Sequence, residues 1–179
     1  MARPASVIID MLSEDHDRLL VLFTAFQGMR ESASPESKQT LVEITCTELV
    51  IHAQIEEEHL YPALAQALDD DFLLELAEVE HSLVRRLVGE LETMQAQDRL
   101  YDATFTVLSE TMRRHIEEEQ TRLFPRILRM DMPMERLAQE MAFRRTELRS
   151  EFGMLDPEGD DEDDGFRFRV NRRSQYRHH

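Results

Sequence analysis

The chain has 179 residues and a formal net charge of −16, with 37 acidic against 21 basic side chains. That balance excludes the basic face that nucleic acid or an anionic membrane would require. A hydrophobic content of 41% beside 32% charged residues is that of a globular chain of about one domain. Only five glycines, six prolines and one cysteine, Cys46, occur, which argues against a turn-rich β fold, a disulfide framework and a thiolate metal site. No apolar run reaches the roughly 18 residues of a membrane span, and Met1-Ala-Arg-Pro does not open a signal peptide. The expected setting is therefore the cytoplasm.

Apolar residues recur at helical spacing along most of the chain. The first helix is expected from about Ser6 to Glu31, with the stripe Ile9, Leu12, His16, Leu19, Leu20 and Phe23. Ser34-Pro35 reads as N-cap and first-turn proline of a second helix that runs to about Leu68, bent or broken at Pro62. Asp69, Asp70 and Asp71 can cap a third helix that carries Leu74, Ala77, His81, Val84, Val88 and Leu91 to about Gln95. Asp98 can cap a fourth, which meets Pro125 near its end at about Met130. A fifth, shorter helix starts at Met132-Pro133 and stops near Phe152-Gly153, where glycine suits the position after the last turn. Four long amphipathic helices with short connections predict an all-α fold, an up-down-up-down four-helix bundle over about 6–130. The extra helix takes 131–153. Residues 154–179 form an acidic run (DPEGDDEDD) and then a basic-aromatic one (FRFRVNRRSQYRHH); they read as a disordered tail or a docking segment for a protein partner. His178 and His179 are left out of site reasoning.

The bundle contains an internal repeat of one helix pair, about 6–68 and 70–130. The first copy holds Asp15-His16 and then IHAQIEEEHLYP; the second holds Glu80-His81 and then HIEEEQTRLFP. Counting forward four from His52 and His115, or back six from Pro62 and Pro125, lands on the same two residues, Glu56 and Glu119. Packing alone would repeat the leucines and leave the histidines free. His and Glu four apart lie about 40° apart around a helix axis and can aim at one point. With His16 and His81 in the apolar stripes of the other two helices, the bundle centre receives four imidazoles and two carboxylates. Burying them without a cation would cost several kcal/mol per unpaired ion, as an order of magnitude. Metal binding is therefore expected. Imidazole and carboxylate without thiolate suit iron, manganese or zinc, and the count fits two ions better than one. A ferritin-like pattern of E-x-x-H pairs is the weaker alternative: Glu56–His59 and Glu78–His81 fall on adjacent helices, and Met112 stands at the matching place before His115.

This order of residues (H, then H-x-x-x-E with L-Y-P, then H, then H-x-x-x-E with L-F-P) resembles the hemerythrin-like HHE cation-binding domain over about residues 6–130. The resemblance implies a four-helix bundle around a non-haem di-iron centre. By it, His16, His52, His81 and His115 are terminal ligands and Glu56 and Glu119 bridge two iron ions. The sequence departs from the oxygen carriers, which use an H-x-x-x-H pair on the third helix; Ala77 stands four before His81 and Arg85 four after. It resembles instead the bacterial subgroup with four His and two Glu. An open position on each iron is then expected, with reaction toward hydrogen peroxide, oxygen or nitric oxide. Peroxidase or catalase-like turnover is one expectation. The other is an iron, oxygen or nitric oxide sensor or binding module without turnover that signals through the tail. His59, opposite Arg122 in the repeat, is expected outside the centre; Glu57, Glu58, Glu117 and Glu118 form a solvated face from which one could reach an imidazole N–H. Cys46 is expected to fill the core.

Overall fold

A computed structural model describes residues 4–67, 72–130 and 133–154. Among them the chain is helical throughout. Helix α1 spans Pro4–Met29, and α2 spans Pro35–Ile55. A widened π turn, π1 (Glu56–Leu60), continues α2 into α3 (Tyr61–Ala65). After α4 (Phe72–Thr93) the pattern recurs: α5 (Tyr101–Glu118), π2 (Glu119–Leu123) and α6 (Phe124–Ile127). Helix α7 (Glu135–Glu151) is the fifth rod. Helices α1 and α2 pack as one pair and α4 and α5 as the other; α2 on α4 and α1 on α5 close the bundle, and α7 lies against α1, α2 and π1.

Local chemistry explains two of the helix ends. The Ser34 hydroxyl accepts the Ser37 N–H at 3.2 Å with Pro35 at the first helical position. Gly153 adopts a positive φ of 69°. There the Met154 and Gly153 N–H groups bond back to the Arg149 and Ser150 carbonyls at 2.7 and 3.0 Å, closing α7 in a Schellman arrangement. Asp98 differs from expectation. It does not cap α5, which begins three residues later; its carboxylate accepts the Gln95 N–H at 2.8 Å and holds the preceding turn. Helix α7 likewise starts at Glu135, just beyond Pro133. Asp69, Asp70, Asp71, Met132 and the 155–179 tail lie outside the described residues, so the expected third N-cap and the tail stay expectations.

The apolar core is in two parts, with a buried histidine between them on four of the five rods. One part takes Ile8 and Leu12, Ile55 and Leu64, Leu74, and Phe124 and Ile127, closed by Met141 and Leu148 of α7. The other takes Leu19, Phe23 and Phe26, Leu49, Val84 to Leu91, and Tyr101 to Ile116. His16, His52, His81 and His115 stand at the changeover on α1, α2, α4 and α5, each at most 1% exposed. A polar layer thus crosses the middle of the core, where burial of unpaired polar groups is most costly.

Three arginines fasten α7 to the first helix pair. Arg149 forms a two-pronged pair with Glu48 of α2 at 3.1 and 2.9 Å, both residues buried. Arg145 pairs with Asp15 of α1, and Arg144 with Glu58 of π1 at 2.7 Å.

Candidate metal centre

All six residues expected at the centre meet there. Ligand atoms of His16, His52, Glu56 and Glu119 lie within 4.8 Å of one another, and those of Glu56, His81 and His115 form a second group of the same span. Glu56 belongs to both. Its Oε2 is 3.3 Å from His52 Nε2, 3.5 Å from His81 Nε2 and 3.8 Å from His115 Nε2. Glu119 Oε2 is 3.2 Å from His16 Nε2 and 3.5 Å from His115 Nε2. The two carboxylates therefore stand between two imidazole pairs, His16 with His52 and His81 with His115.

The helices position these groups in a repeated way. His52 ends the regular turns of α2 and Glu56 opens π1; His115 and Glu119 do the same for α5 and π2. In each π turn the bond runs five residues instead of four, from the Tyr61 N–H to the Glu56 carbonyl and from the Phe124 N–H to the Glu119 carbonyl. Pro62 and Pro125 follow directly; a proline has no N–H to return to the carbonyl four before it, and the wider turn accommodates that gap. The prolines were legible as breaks; the π turns were not.

The electrostatics are those of a site short of positive charge. Burial raises Glu56 above the usual carboxylate range and neighbouring Glu119 raises it further. Burial acts on Glu119 the same way, but His115, His16 and His52 together pull it below that range. His52 is lowered by burial and by His16, and His81 by burial, against the hydrogen bond of Glu57. Burial also opposes charge on His115, yet Glu119, Glu56 and Glu80 lift it to about 10. Five buried atoms here have no hydrogen-bond partner: His16 Nε2, both ring nitrogens of His52, Glu56 Oε1 and Glu119 Oε2. Orphaned donor atoms converging from four helices fit a bound cation, and neutral imidazoles with carboxylates are the donor set of iron, manganese or zinc.

Four further residues complete the site. The Tyr61 hydroxyl donates toward Glu56 Oε2 at 3.1 Å and Glu119 Oε1 at 3.0 Å. Burial and the two carboxylates push this phenol well above its ordinary range, so it keeps its proton. Glu57 Oε1 lies 2.9 Å from His81 Nδ1, fulfilling the expectation that one spare glutamate reaches a ring N–H. Glu80 Oε2 does the same for His115 Nδ1 at 3.1 Å, and Gln120 Nε2 is 3.5 Å from His16 Nδ1. The repeat carried a signal for these: Glu80 stands opposite Asp15, Gln120 opposite Glu57, and Phe124 opposite Tyr61. Phe124 stacks on His16 with ring centroids 5.6 Å apart. His59 lies outside the centre, part-exposed, with Nε2 4.0 Å from Glu58. A small cavity of about 10 Å³, room for one water-sized molecule, opens beside the layer between Leu73, Leu76, Ala77, Glu80, His115, Glu118, Glu119 and Leu123.

Known proteins resemble this chain in fold and in sequence. The fold matches the crystal structure of a hemerythrin HHE cation-binding domain-containing protein from Mycobacterium kansasii with a TM-score of 0.65, over 84% of this chain and 90% of that one, at 24% identity. A DNA nickase from Nostoc sp. (strain PCC 7120 / SAG 25.82 / UTEX 2576) is 27% identical over 120 residues, 67% of this chain. The chain spans about a third of that relative's length, 33%. The hemerythrin HHE cation-binding domain profile matches residues 7–127, more than half of the chain, and the chain belongs to that family.

Proposed function

We propose that this protein holds two iron ions and reacts at them with a small oxidant, hydrogen peroxide foremost, with oxygen and nitric oxide as related ligands. The observation that supports it is the double donor group sharing Glu56, with the cavity at its side. His16 and His52 would hold one ion, His81 and His115 the other, and Glu56 and Glu119 would join them. Iron supplies redox and Lewis-acid chemistry when bound. The chain supplies the setting. Tyr61 holds a proton at its hydroxyl between the two carboxylates. Leu73, Leu76 and Leu123 give the cavity an apolar wall. Ala77 leaves open the place where a histidine of an H-x-x-x-H pair would stand, and it lines that cavity. A site that keeps an opening suits reaction, where one with every position filled suits structure.

Iron analysis after expression in iron-rich medium should give about two ions per chain, motivated by the two donor groups. Glu56→Ala or Glu119→Ala should lose at least one, whereas Glu117→Ala on the exposed face should not. Full occupancy by zinc alone, or retention of two irons in Glu119→Ala, would sink this reading.

A sensor is the second reading. Its support is the Arg145–Asp15 pair, which links α7 to the residue next to His16, so that events at the centre bear on α7 and the tail beyond it. The chain matches only a third of the Nostoc relative's length, and a net charge of −16 opposes a polyanionic substrate; strand nicking is not proposed for this chain.

A further inference from the structure

The donors facing the centre repeat faithfully, but the groups behind them do not. In the His81/His115 half, each ring's far nitrogen meets a carboxylate: Glu57 at 2.9 Å and Glu80 at 3.1 Å. In the His16/His52 half, the place of Glu57 is taken by Gln120, whose amide is 3.5 Å from His16 Nδ1. The place of Glu80 is taken by Asp15, which is drawn instead to Arg145 of α7, with Arg18 3.9 Å away. His52 Nδ1 has no hydrogen-bond partner.

A histidine that ligates through Nε2 must carry its proton on Nδ1, and a carboxylate behind that proton fixes the tautomer and raises the basicity of the ligating nitrogen. A glutamine offers at best a neutral carbonyl after the amide is turned. The glutamates are not free of other partners: Arg85 pairs with Glu57 and Arg114 with Glu80. Those arginines have side chains 46% and 62% exposed, whereas Arg145 is 17% exposed. Water therefore screens the first two more than the third.

We infer that the two metal positions are unequal. The ion held by His81 and His115 binds more tightly and fills first, with Glu57 and Glu80 as positioning residues; the His16/His52 position fills second. The cavity beside Ala77 and His115 opens on the tighter position, so the small molecule would meet that ion. The inference rests on the two-ion reading above but not on the identity of the metal.

The test uses the full chain, stripped with chelator and titrated with cobalt(II) chloride, followed by calorimetry and by the visible bands of the bound ion. Two steps separated by tenfold or more are expected. His16→Gln should remove the weaker step and His81→Gln the tighter. Glu57→Gln, which makes the two halves alike at this place, should weaken the tighter step about 10- to 100-fold and leave the other within a factor of about three. Gln120→Glu should strengthen the weaker step by about tenfold, a gain that a merely structural role would not produce. Two equal steps in the parent chain overturn the inference and leave the two-ion reading standing. So does Glu57→Gln weakening both steps alike, or Gln120→Glu leaving the weaker step where it was. Failure to bind cobalt at all overturns both.

Discussion

Stripping the metal should destabilise the whole bundle, because the polar layer that crosses the core is otherwise only partly satisfied. Five atoms of the centre are without partners, and an unsatisfied buried group costs about 1–3 kcal/mol. These costs overlap, so their sum is an upper bound. Linkage gives the size of the gain: a ligand at a hundred times its Kd stabilises by about 2.7 kcal/mol. Two ions then contribute about 5 kcal/mol, and at roughly 2–4 °C per kcal/mol for a chain of this size the midpoint should rise by about 10–20 °C. The assay is far-UV circular dichroism melting of the stripped protein and of the same sample loaded anaerobically with ferrous iron. Glu119→Ala is the informative variant. It removes the like charge that raises Glu56 but also the counter-charge that lifts His115, so the stripped variant should melt below the stripped parent, while its rise on loading shrinks by half or more. A rise under about 3 °C in the parent, or a full rise in Glu119→Ala, would show that the layer does not bind metal as argued.

Other outcomes follow from the same geometry. Ala77→His drives an imidazole into the small cavity; about 1–3 kcal/mol of stability should be lost to overpacking, and peroxide consumption should fall, so an unchanged rate would mean the cavity is not the entry. Arg149→Met leaves the buried Glu48 carboxylate with only the longer contact to the part-exposed Arg18 at 3.5 Å. It should cost about 3–5 kcal/mol in urea unfolding, largely recovered by Glu48→Leu in the same chain; a loss under about 1 kcal/mol would mean that α7 is not part of the cooperative unit. Cys46 is buried, and burial pushes its thiol far above the ordinary range. Iodoacetamide at mildly alkaline pH should label it only after unfolding, and fast labelling of the folded chain would contradict its place in the core.

The rods were legible because their apolar faces repeat at three and four residues, and two of the caps because Ser34, Pro35 and Gly153 can do little else where they stand. Asp98 misled because its side chain satisfies a turn as readily as a helix end, and the turn is closer. The six central residues were legible through the repeat: a histidine that recurs in an apolar stripe has no packing reason to do so. Glu57 was legible only as one of four candidates and Glu80 was not singled out, since both stand in acid-rich stretches that look solvated. Their contacts depend on how far the rods are rotated about their axes, and for Glu57 on the π turn it stands in. No propensity separates a bond of five residues from one of four.

The π turns also decide what stands over the carboxylates, and that consequence can be tested. In a regular helix a residue five beyond Glu56 would point about 140° away from it. The widened turn instead bonds Tyr61 directly to the Glu56 carbonyl, and its hydroxyl comes within 3.1 Å of the same residue's carboxylate. One hydroxyl proton can serve one carboxylate at a time, yet Tyr61 touches two. The second contact is satisfied when Glu56, raised by burial and by Glu119, keeps a proton of its own and donates a hydrogen bond with it to the phenol oxygen. In the metal-free chain, then, Tyr61 is the bridge that lets two buried acids coexist. Tyr61→Phe copies what the repeat already has at Phe124 and keeps the ring. It should cost the stripped protein about 1–3 kcal/mol through the lost donor. The loaded protein should lose much less, because its carboxylates turn to the ions. The difference in melting shift between the two forms is the measurement. An equal loss in both would mean that Tyr61 serves packing against His81, 5.7 Å away ring to ring, and no loss in either would mean that the carboxylates do not depend on its proton.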